Sequence, residues 1–157
     1  MNTQRSVLVA EDDENDRFLM KWAFQEAAVE NPLYIVEDGQ EAIEYLAGTG
    51  KYSDRIKYPL PFLVVLDLKM PRKTGLDVLR WLRLIPLLRC LPVMVFSSSA
   101  HPADVEAAYD GGANAFVVKP AGTQKRVELV KTLRDFWLTF NEPPAAAGGG
   151  LTLPAGL

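Results

Sequence analysis

The sequence predicts an α/β fold built on a five-stranded parallel sheet with helices on both of its faces. Five short apolar runs alternate with longer segments in which apolar residues recur at helical spacing. The apolar runs contain few polar residues, which is typical of strands that are buried on both faces. Strands that alternate with helices form parallel sheets through crossover connections, and the helices then cover both faces.

The first half of the chain holds two strands, two helices and a long connection. Residues 7–10 form an apolar strand that ends at three acidic residues, and Asp13 or Asn15 caps a helix that continues to about residue 28. Pro32 interrupts the chain before the second strand, 33–36. A helix is predicted over 39–47, and the glycines and prolines of 48–61 indicate a connection without regular structure.

The second half continues the alternation. Strands are predicted over 62–66, 92–96 and 115–118, and helices over 74–84, 102–110 and 123–140. Gly111 and Gly112 end the fourth helix, because glycine supplies the permissive backbone that helix ends favour. We expect one domain over residues 1–140 and a disordered tail over 141–157, which is rich in proline, alanine and glycine.

The composition indicates a globular protein, since 48% of the 157 residues are hydrophobic and 24% are charged. The net charge of −3 provides no basic field that would attract nucleic acid. The single cysteine, Cys90, cannot form an internal disulfide, so we expect a cytoplasmic protein in which Cys90 is a small core residue. The sequence has neither a signal-peptide pattern nor an apolar run long enough for a membrane helix.

Polar residues follow four of the predicted strands and should meet at one edge of the sheet, because ligand sites in such sheets form beyond the carboxyl ends of the strands. They are Glu11, Asp12 and Asp13 after the first strand, Asp67 after the third, Ser97, Ser98 and Ser99 after the fourth, and Lys119 after the fifth. Clustered carboxylates are unfavourable unless a cation holds them together. Magnesium is the usual ion where phosphate chemistry occurs, and an ionised Asp67 could then attack a phosphoryl group.

Four ordered segments of the chain resemble the receiver domains of response regulators in two-component signalling. They are 7–13, 64–71 with Gly75 following, 93–98 and 116–120. The spacing from Asp67 to Ser97 and to Lys119 also matches the family, and the resemblance extends over roughly residues 5–138. It implies a doubly wound, flavodoxin-like (βα)5 fold and a signalling phosphoacceptor rather than a metabolic enzyme.

The resemblance implies a role for each matching residue. Asp67 matches the phosphoacceptor and Lys119 the lysine that pairs with the phosphoryl group, while Ser97 and Phe116 match the switch residues. The Mg²⁺ ligands would be Glu11, Asp12, Asp67 and the backbone carbonyl of Lys69, with Asp12 the more direct ligand of the acidic pair. In the family the bond between Lys119 and Pro120 is often cis. The phosphoryl donor would be a partner histidine kinase, and slow self-hydrolysis would end the signal.

Other interpretations stay open from the residues alone. A lone aspartate after a strand is usually a cap or turn residue, and Ser97 could simply satisfy a backbone amide. His101, the only histidine, is better explained as a polar residue near a helix start than as a catalytic base. A phosphatase of the haloacid-dehalogenase type would have an aspartate two residues after its nucleophile, where this chain has Lys69. An adaptor that does not depend on phosphorylation would not need the site residues.

The sequence shows no output domain, so we expect a regulator that acts by contact with partners. Segments 48–61, 60–68 and 137–144 are similar to regulators paired with bacterial phytochromes, which are histidine kinases that sense red and far-red light. On the first helix, Phe18 and Trp22 lie beside the core stripe. They dock the kinase in one interpretation and only widen the core in the other.

The last predicted helix carries more apolar residues than one buried face needs. The main stripe is Leu129, Leu133, Phe136 and Phe140, and Val130 and Trp137 extend it sideways. Large exposed apolar patches often mark interfaces. We therefore expect a homodimer through a face built from the fourth strand, this helix and nearby elements.

Overall fold

The computed structural model describes residues 4–144 and has the predicted α/β architecture. Five parallel strands form one sheet in the order β2-β1-β3-β4-β5. The strands are Val7–Ala10 (β1), Leu33–Val36 (β2), Leu63–Leu66 (β3), Val93–Ser97 (β4) and Ala115–Val118 (β5). Strand order reverses at β1 and β3, so the carboxyl ends of these two strands flank the position where such sheets bind ligands.

Five α-helices connect and follow the strands, as predicted. They are Glu14–Glu26 (α1), Gly39–Ala47 (α2), Gly75–Leu84 (α3), Pro102–Asp110 (α4) and Thr123–Asp135 (α5). Asp13, not Asn15, caps α1, since its carboxylate accepts a hydrogen bond from the Asp16 backbone N–H at 2.8 Å. The connection after α2 contains a short 3-10 helix, Gly50–Tyr52.

Each face of the sheet has its own apolar core, because alternate residues of a strand point to opposite faces. Leu8 and Ala10 of β1 pack in the core that is covered by α2, α3 and α4. Val7 and Val9 pack in the core that is covered by α1 and α5. Helices therefore lie on both faces, which confirms the doubly wound fold.

Two expectations about burial were wrong. Cys90 is exposed, because Leu88 and Leu91 occupy the buried positions of the turn that follows α3. Nor can β4 form part of a dimer face, since it is an interior strand with every residue buried. The edge strand on that side is β5, and its last residue, Val118, is 45% exposed.

The expected helix over 123–140 changes character near its end. α5 is followed by a π-helical turn, Phe136–Phe140. Leu133 and Leu138 are buried, whereas Phe136 and Phe140 are exposed, so the expected single stripe is divided. Of the expected tail, residues 141–144 have neither helix nor strand, and residues 145–157 lie outside the described residues. Within the described chain, no helix is both long and apolar enough to cross a membrane.

Candidate functional site

Side chains from three strand ends and two helices form one cluster at the carboxyl edge of the sheet, which we call the acidic pocket. It consists of Glu11 and Asp12 after β1, Asp67 after β3, Lys119 after β5, Asp16 in α1 and Arg126 in α5. The Asp67 backbone N–H donates to the carbonyl of Ala10 at 3.0 Å, which ties the end of β3 to the end of β1. The sheet thus brings the predicted carboxylates and lysine together.

Lys119 lies at the centre of the acidic pocket. Its ammonium is 2.8 Å from Glu11, 2.9 Å from Asp16 and 3.0 Å from Asp67, so each of its three N–H donors has a carboxylate partner. Burial alone would lower the pKa of Lys119, but the hydrogen bonds to these carboxylates outweigh it and hold the pKa above its usual value. Lys119 is therefore a fixed positive charge beside Asp67.

Three carboxylates of the pocket have the arrangement of a metal site. One oxygen from each of Glu11, Asp12 and Asp67 lies within 4.8 Å of the others. Glu11 and Asp67 are buried, and burial raises the pKa of Glu11 to about 7 despite the nearby lysine. An all-oxygen donor set with excess negative charge suits a hard divalent cation. The residues present therefore fit the magnesium site that the sequence predicts.

The loop between β3 and α3 holds Asp67 closely. A Cβ atom at Gly75 would lie 2.1 Å from the Asp67 carbonyl oxygen, so only glycine allows α3 to begin this near the site. The Gly75 N–H donates to the Leu68 carbonyl at 3.0 Å. Farther along the loop, Arg72 has a φ of 64° and makes two hydrogen bonds, of 2.8 and 3.0 Å, to Asp38 at the start of α2.

The two predicted switch residues lie on β4 and β5. Ser97 is the last residue of β4, not the first beyond it, and its buried hydroxyl accepts a hydrogen bond from the Ser99 N–H at 3.2 Å. Phe116 pairs with Val95 in the sheet and packs partly buried against the core beneath α2, α3 and α4. The resemblance also suggested a cis bond before Pro120, but every peptide bond among the described residues is trans.

The remaining predicted residues lie outside the pocket. Phe18 on α1 is 64% exposed, whereas Trp22 packs partly buried against the core beneath α1 and α5. The exposed ring of Phe18 is consistent with docking, and Trp22 is at least partly a core residue. His101 caps α4, because its Nδ1 accepts a hydrogen bond from the Ala103 N–H at 3.2 Å. This agrees with its interpretation as a polar residue at a helix start rather than a catalytic base.

Two residues of the pocket were missed in the sequence. The Asp16 carboxylate binds Lys119 with one oxygen and Arg126 with the other, at 2.9 and 2.8 Å. Burial acts to raise the pKa of Asp16, but the two cations together hold it below its usual value. A weak signal was available for Asp16, which is an acidic residue in the first turn of the helix that follows Glu11 and Asp12. Arg126 gave none, because only the packing of α5 on α1 brings it near.

The family model for the response regulator receiver domain matches residues 7–133. The chain belongs to this family, whose members are signalling phosphoacceptors. It is 30% identical to response regulator Rcp1 of Synechocystis over 145 residues, which cover 92% of this chain and 97% of Rcp1.

Solved structures give the same result. The Mn²⁺-bound form of Rcp1 superposes with a TM-score of 0.79 at 30% identity, covering 90% of this chain and 99% of that one. The phosphorylated cyanobacterial phytochrome response regulator RcpA gives a TM-score of 0.82 at 31% identity, covering 90% and 99% of the two chains. Response regulator RPA3017, in red light signalling of R. palustris, gives 0.84 at 36% identity, covering 89% and 98%. The chain is thus related to phytochrome response regulators.

Proposed function

We propose that this protein is a response regulator that accepts a phosphoryl group on Asp67 from a partner histidine kinase and signals through phosphorylation-switched contacts. The observation that carries the proposal is the geometry around Asp67. A buried ammonium lies 3.0 Å from its carboxylate, and two further carboxylates approach from β1. Phosphoryl transfer requires mainly positioning and positive charge near the transferred group, and the acidic pocket offers both.

The proposed reaction transfers one phosphoryl group between two side chains. A carboxylate oxygen of Asp67 attacks the phosphorus of a phosphohistidine, and the P–N bond breaks as the new O–P bond forms. The electron pair of that bond leaves with the imidazole, which takes up a proton. Lys119 then pairs with a phosphoryl oxygen, and slow attack of water on the acyl phosphate would restore Asp67.

Magnesium fits the same pocket. Asp12, Asp67 and the backbone carbonyl of Lys69 would hold the ion, with Glu11 acting through water. When bound, the ion supplies positive charge to the phosphoryl oxygens. The related Rcp1 has a Mn²⁺-bound form, which supports the binding of a divalent ion by this chain. Ser97 would donate its hydroxyl hydrogen to a phosphoryl oxygen, and Phe116 would change position with it.

A bacterial phytochrome is the proposed kinase, and the light-signalling relatives support this assignment. Docking would use α1, where Phe18 exposes 64% of its surface. The single exposed cysteine suits a reducing cytoplasm.

Phe18→Ala should reduce the rate of phosphoryl transfer from the kinase without changing the rate of phosphorylation by acetyl phosphate. Trp22→Ala should also affect folding. Equal kinase transfer in Phe18→Ala and the wild type would contradict docking at this residue.

A homodimer through the face of α4, β5 and α5 is also proposed. Tyr109 of α4, Val118 of β5, and Phe136 and Phe140 of the turn that follows α5 expose between 45% and 77% of their surface. Sedimentation at tens of micromolar protein should show a dimer, on the order of a moderate interface affinity. A monomer at that concentration would count against it.

The phosphoacceptor assignment is tested by incubating the protein with acetyl phosphate and Mg²⁺. The wild type should acquire an acid-stable, hydroxylamine-labile modification, and removal of Mg²⁺ should prevent it. Asp67→Asn should abolish the modification, while Asp110→Asn, on the exposed end of α4, should be modified as the wild type is. Undiminished modification of Asp67→Asn would overturn the proposal.

A further inference from the structure

We propose that Asp16 is a positioning residue for Lys119 and that Arg126 holds Asp16 in place. The inference rests on the phosphoryl transfer proposed above and deepens it. Asp16 is the one carboxylate of the pocket that bridges both cations. Its Oδ2 accepts from Lys119 at 2.9 Å, and its Oδ1 accepts from Arg126 at 2.8 Å.

Lysine needs fixed acceptors to hold its ammonium in one place, because its four-carbon chain is flexible. Of the three carboxylates that bind Lys119, Glu11 and Asp67 also belong to the three-carboxylate cluster. Their oxygens are therefore engaged again when a cation binds or when Asp67 is phosphorylated. Asp16 lies outside that cluster, so it can remain bound to Lys119 while the other two partners change.

Asp16 is itself held from two sides. Its backbone N–H donates to the Asp13 carboxylate at 2.8 Å, which fixes the first turn of α1. The side chain of Arg126 is only 8% exposed and lies over the Phe96 ring, 5.5 Å from the ring centre, beside the Lys119 ammonium at 5.8 Å from the same centre. Asp16 is the only carboxylate that pairs with Arg126 among the described residues. Together, the helix cap and the buried guanidinium fix the Asp16 carboxylate.

A carboxylate is needed for this role because it presents an acceptor to each cation. Asparagine has one acceptor oxygen and an NH2 group that donates, so it can accept from only one of the two cations and would turn a donor toward the other. Lys119 keeps two other carboxylate partners, whereas Arg126 has none among the described residues, so in Asp16→Asn the amide oxygen is expected to stay with Arg126 and to release Lys119. Loss of the negative charge at position 16 would by itself speed phosphorylation, because a less negative pocket repels an incoming anionic phosphoryl donor less strongly.

The test compares Asp16→Asn with Glu14→Gln, which removes an exposed acid from the same turn of α1. At saturating Mg²⁺, Asp16→Asn should be phosphorylated by acetyl phosphate roughly ten- to a hundredfold more slowly than the wild type, as misplacement of a catalytic group predicts. Glu14→Gln should react at the wild-type rate. An unchanged or faster reaction of Asp16→Asn would overturn the proposal.

A second readout does not depend on phosphorylation. In protein labelled with ¹⁵N-lysine and free of metal, the Lys119 Nζ signal should be visible, because three hydrogen bonds slow its proton exchange, and it should disappear in Asp16→Asn. Persistence of this signal in the variant overturns the inference even if Asp67 is phosphorylated normally. Failure of the wild type to be phosphorylated instead contradicts the proposed function. If Asp16→Asn does not fold, Asp16→Ala with Arg126→Met removes both charges of the pair and every side-chain acceptor at position 16, and it should show the same two losses.

Discussion

The two ends of the sheet bury polar side chains in opposite ways. Near the amino ends of the strands, four tyrosines (Tyr34, Tyr45, Tyr52 and Tyr58) pack with ring centres 5.0–6.2 Å apart, and we call them the tyrosine cluster. Arg55 donates to the carbonyls of Tyr45 and Leu46 at the end of α2, both at 2.7 Å, and to that of Tyr58 at 3.0 Å. There, a half-buried cation satisfies neutral acceptors and completes the structure.

The acidic pocket at the other end has charge that the chain does not balance. Four carboxylates, those of Glu11, Asp12, Asp16 and Asp67, face two cations. Such an arrangement is unfavourable in the folded protein and suits an added divalent ion. The tyrosine cluster therefore stabilises the fold, whereas the pocket keeps an unbalanced charge that lowers stability and suits the proposed phosphoryl chemistry. Substitutions at the two ends should therefore separate stability from function.

Lys119→Met should have the largest effect on stability. It leaves the carboxylates of the pocket without their central cation, and loss of one partner from a buried ion pair costs about 3 kcal/mol. Chemical denaturation without Mg²⁺ should show this decrease, and Mg²⁺ should recover part of it. Lys125→Met, an exposed lysine on α5, is the control and should unfold as the wild type does. Equal stability of the two variants would contradict the charge imbalance.

Arg55→Met should lower the free energy of unfolding by about 2 kcal/mol, since hydrogen bonds to a charged donor are lost at the end of α2. Its rate of phosphorylation by acetyl phosphate should not change, because the tyrosine cluster lies at the other end of the sheet. Arg89→Met, an exposed arginine, serves as the control. A slower reaction in Arg55→Met would show that the two ends are coupled.

Asp67→Asn should change the free energy of unfolding in the opposite direction. Removing one carboxylate relieves repulsion in the metal-free pocket, so the free energy of unfolding should rise by about 1 kcal/mol, as is common when a functional site is neutralised. Chemical denaturation without Mg²⁺ measures this change, and Glu106→Gln, which replaces an exposed acid, is the control. A less stable Asp67→Asn would mean that the bond to Lys119 outweighs the repulsion.

Glu41→Gln should have the smallest effect on stability, and the size of this effect should depend on pH. Burial acts to raise the pKa of Glu41, but hydrogen bonds from Tyr52, the Glu37 N–H and Lys51 outweigh it, so the pKa lies below the usual value of 4.5. A lowered carboxyl pKa gives stability that is present above pH 4.5 and is lost as the pH falls through the folded-state pKa. Glu41→Gln should therefore be less stable than the wild type at pH 7 by about 1 kcal/mol. The difference should shrink in acid, and a difference that is constant with pH would contradict this account.

The sequence predicted the fold and most of the acidic pocket because both depend on local patterns. Apolar runs set the strands, and parallel strands bring the residues that follow them to one edge. Predictions failed where packing between distant elements decides the outcome. Arg126 reaches Asp16 only because α5 packs on α1, across a separation of 110 residues. The expected place of β4 in a dimer face was wrong because alternation along the chain does not give the spatial order of the strands.

The most direct measurement of the central assignment is to locate the phosphoryl group chemically. Protein phosphorylated by acetyl phosphate with Mg²⁺ is treated with borohydride, which reduces an aspartyl phosphate to homoserine, and peptide mass spectrometry then locates the changed residue. We expect homoserine at position 67 alone, and none when Mg²⁺ is withheld. Homoserine at position 12 or 16 with Asp67 intact, or no reduced residue in protein that carries phosphate, would contradict the account.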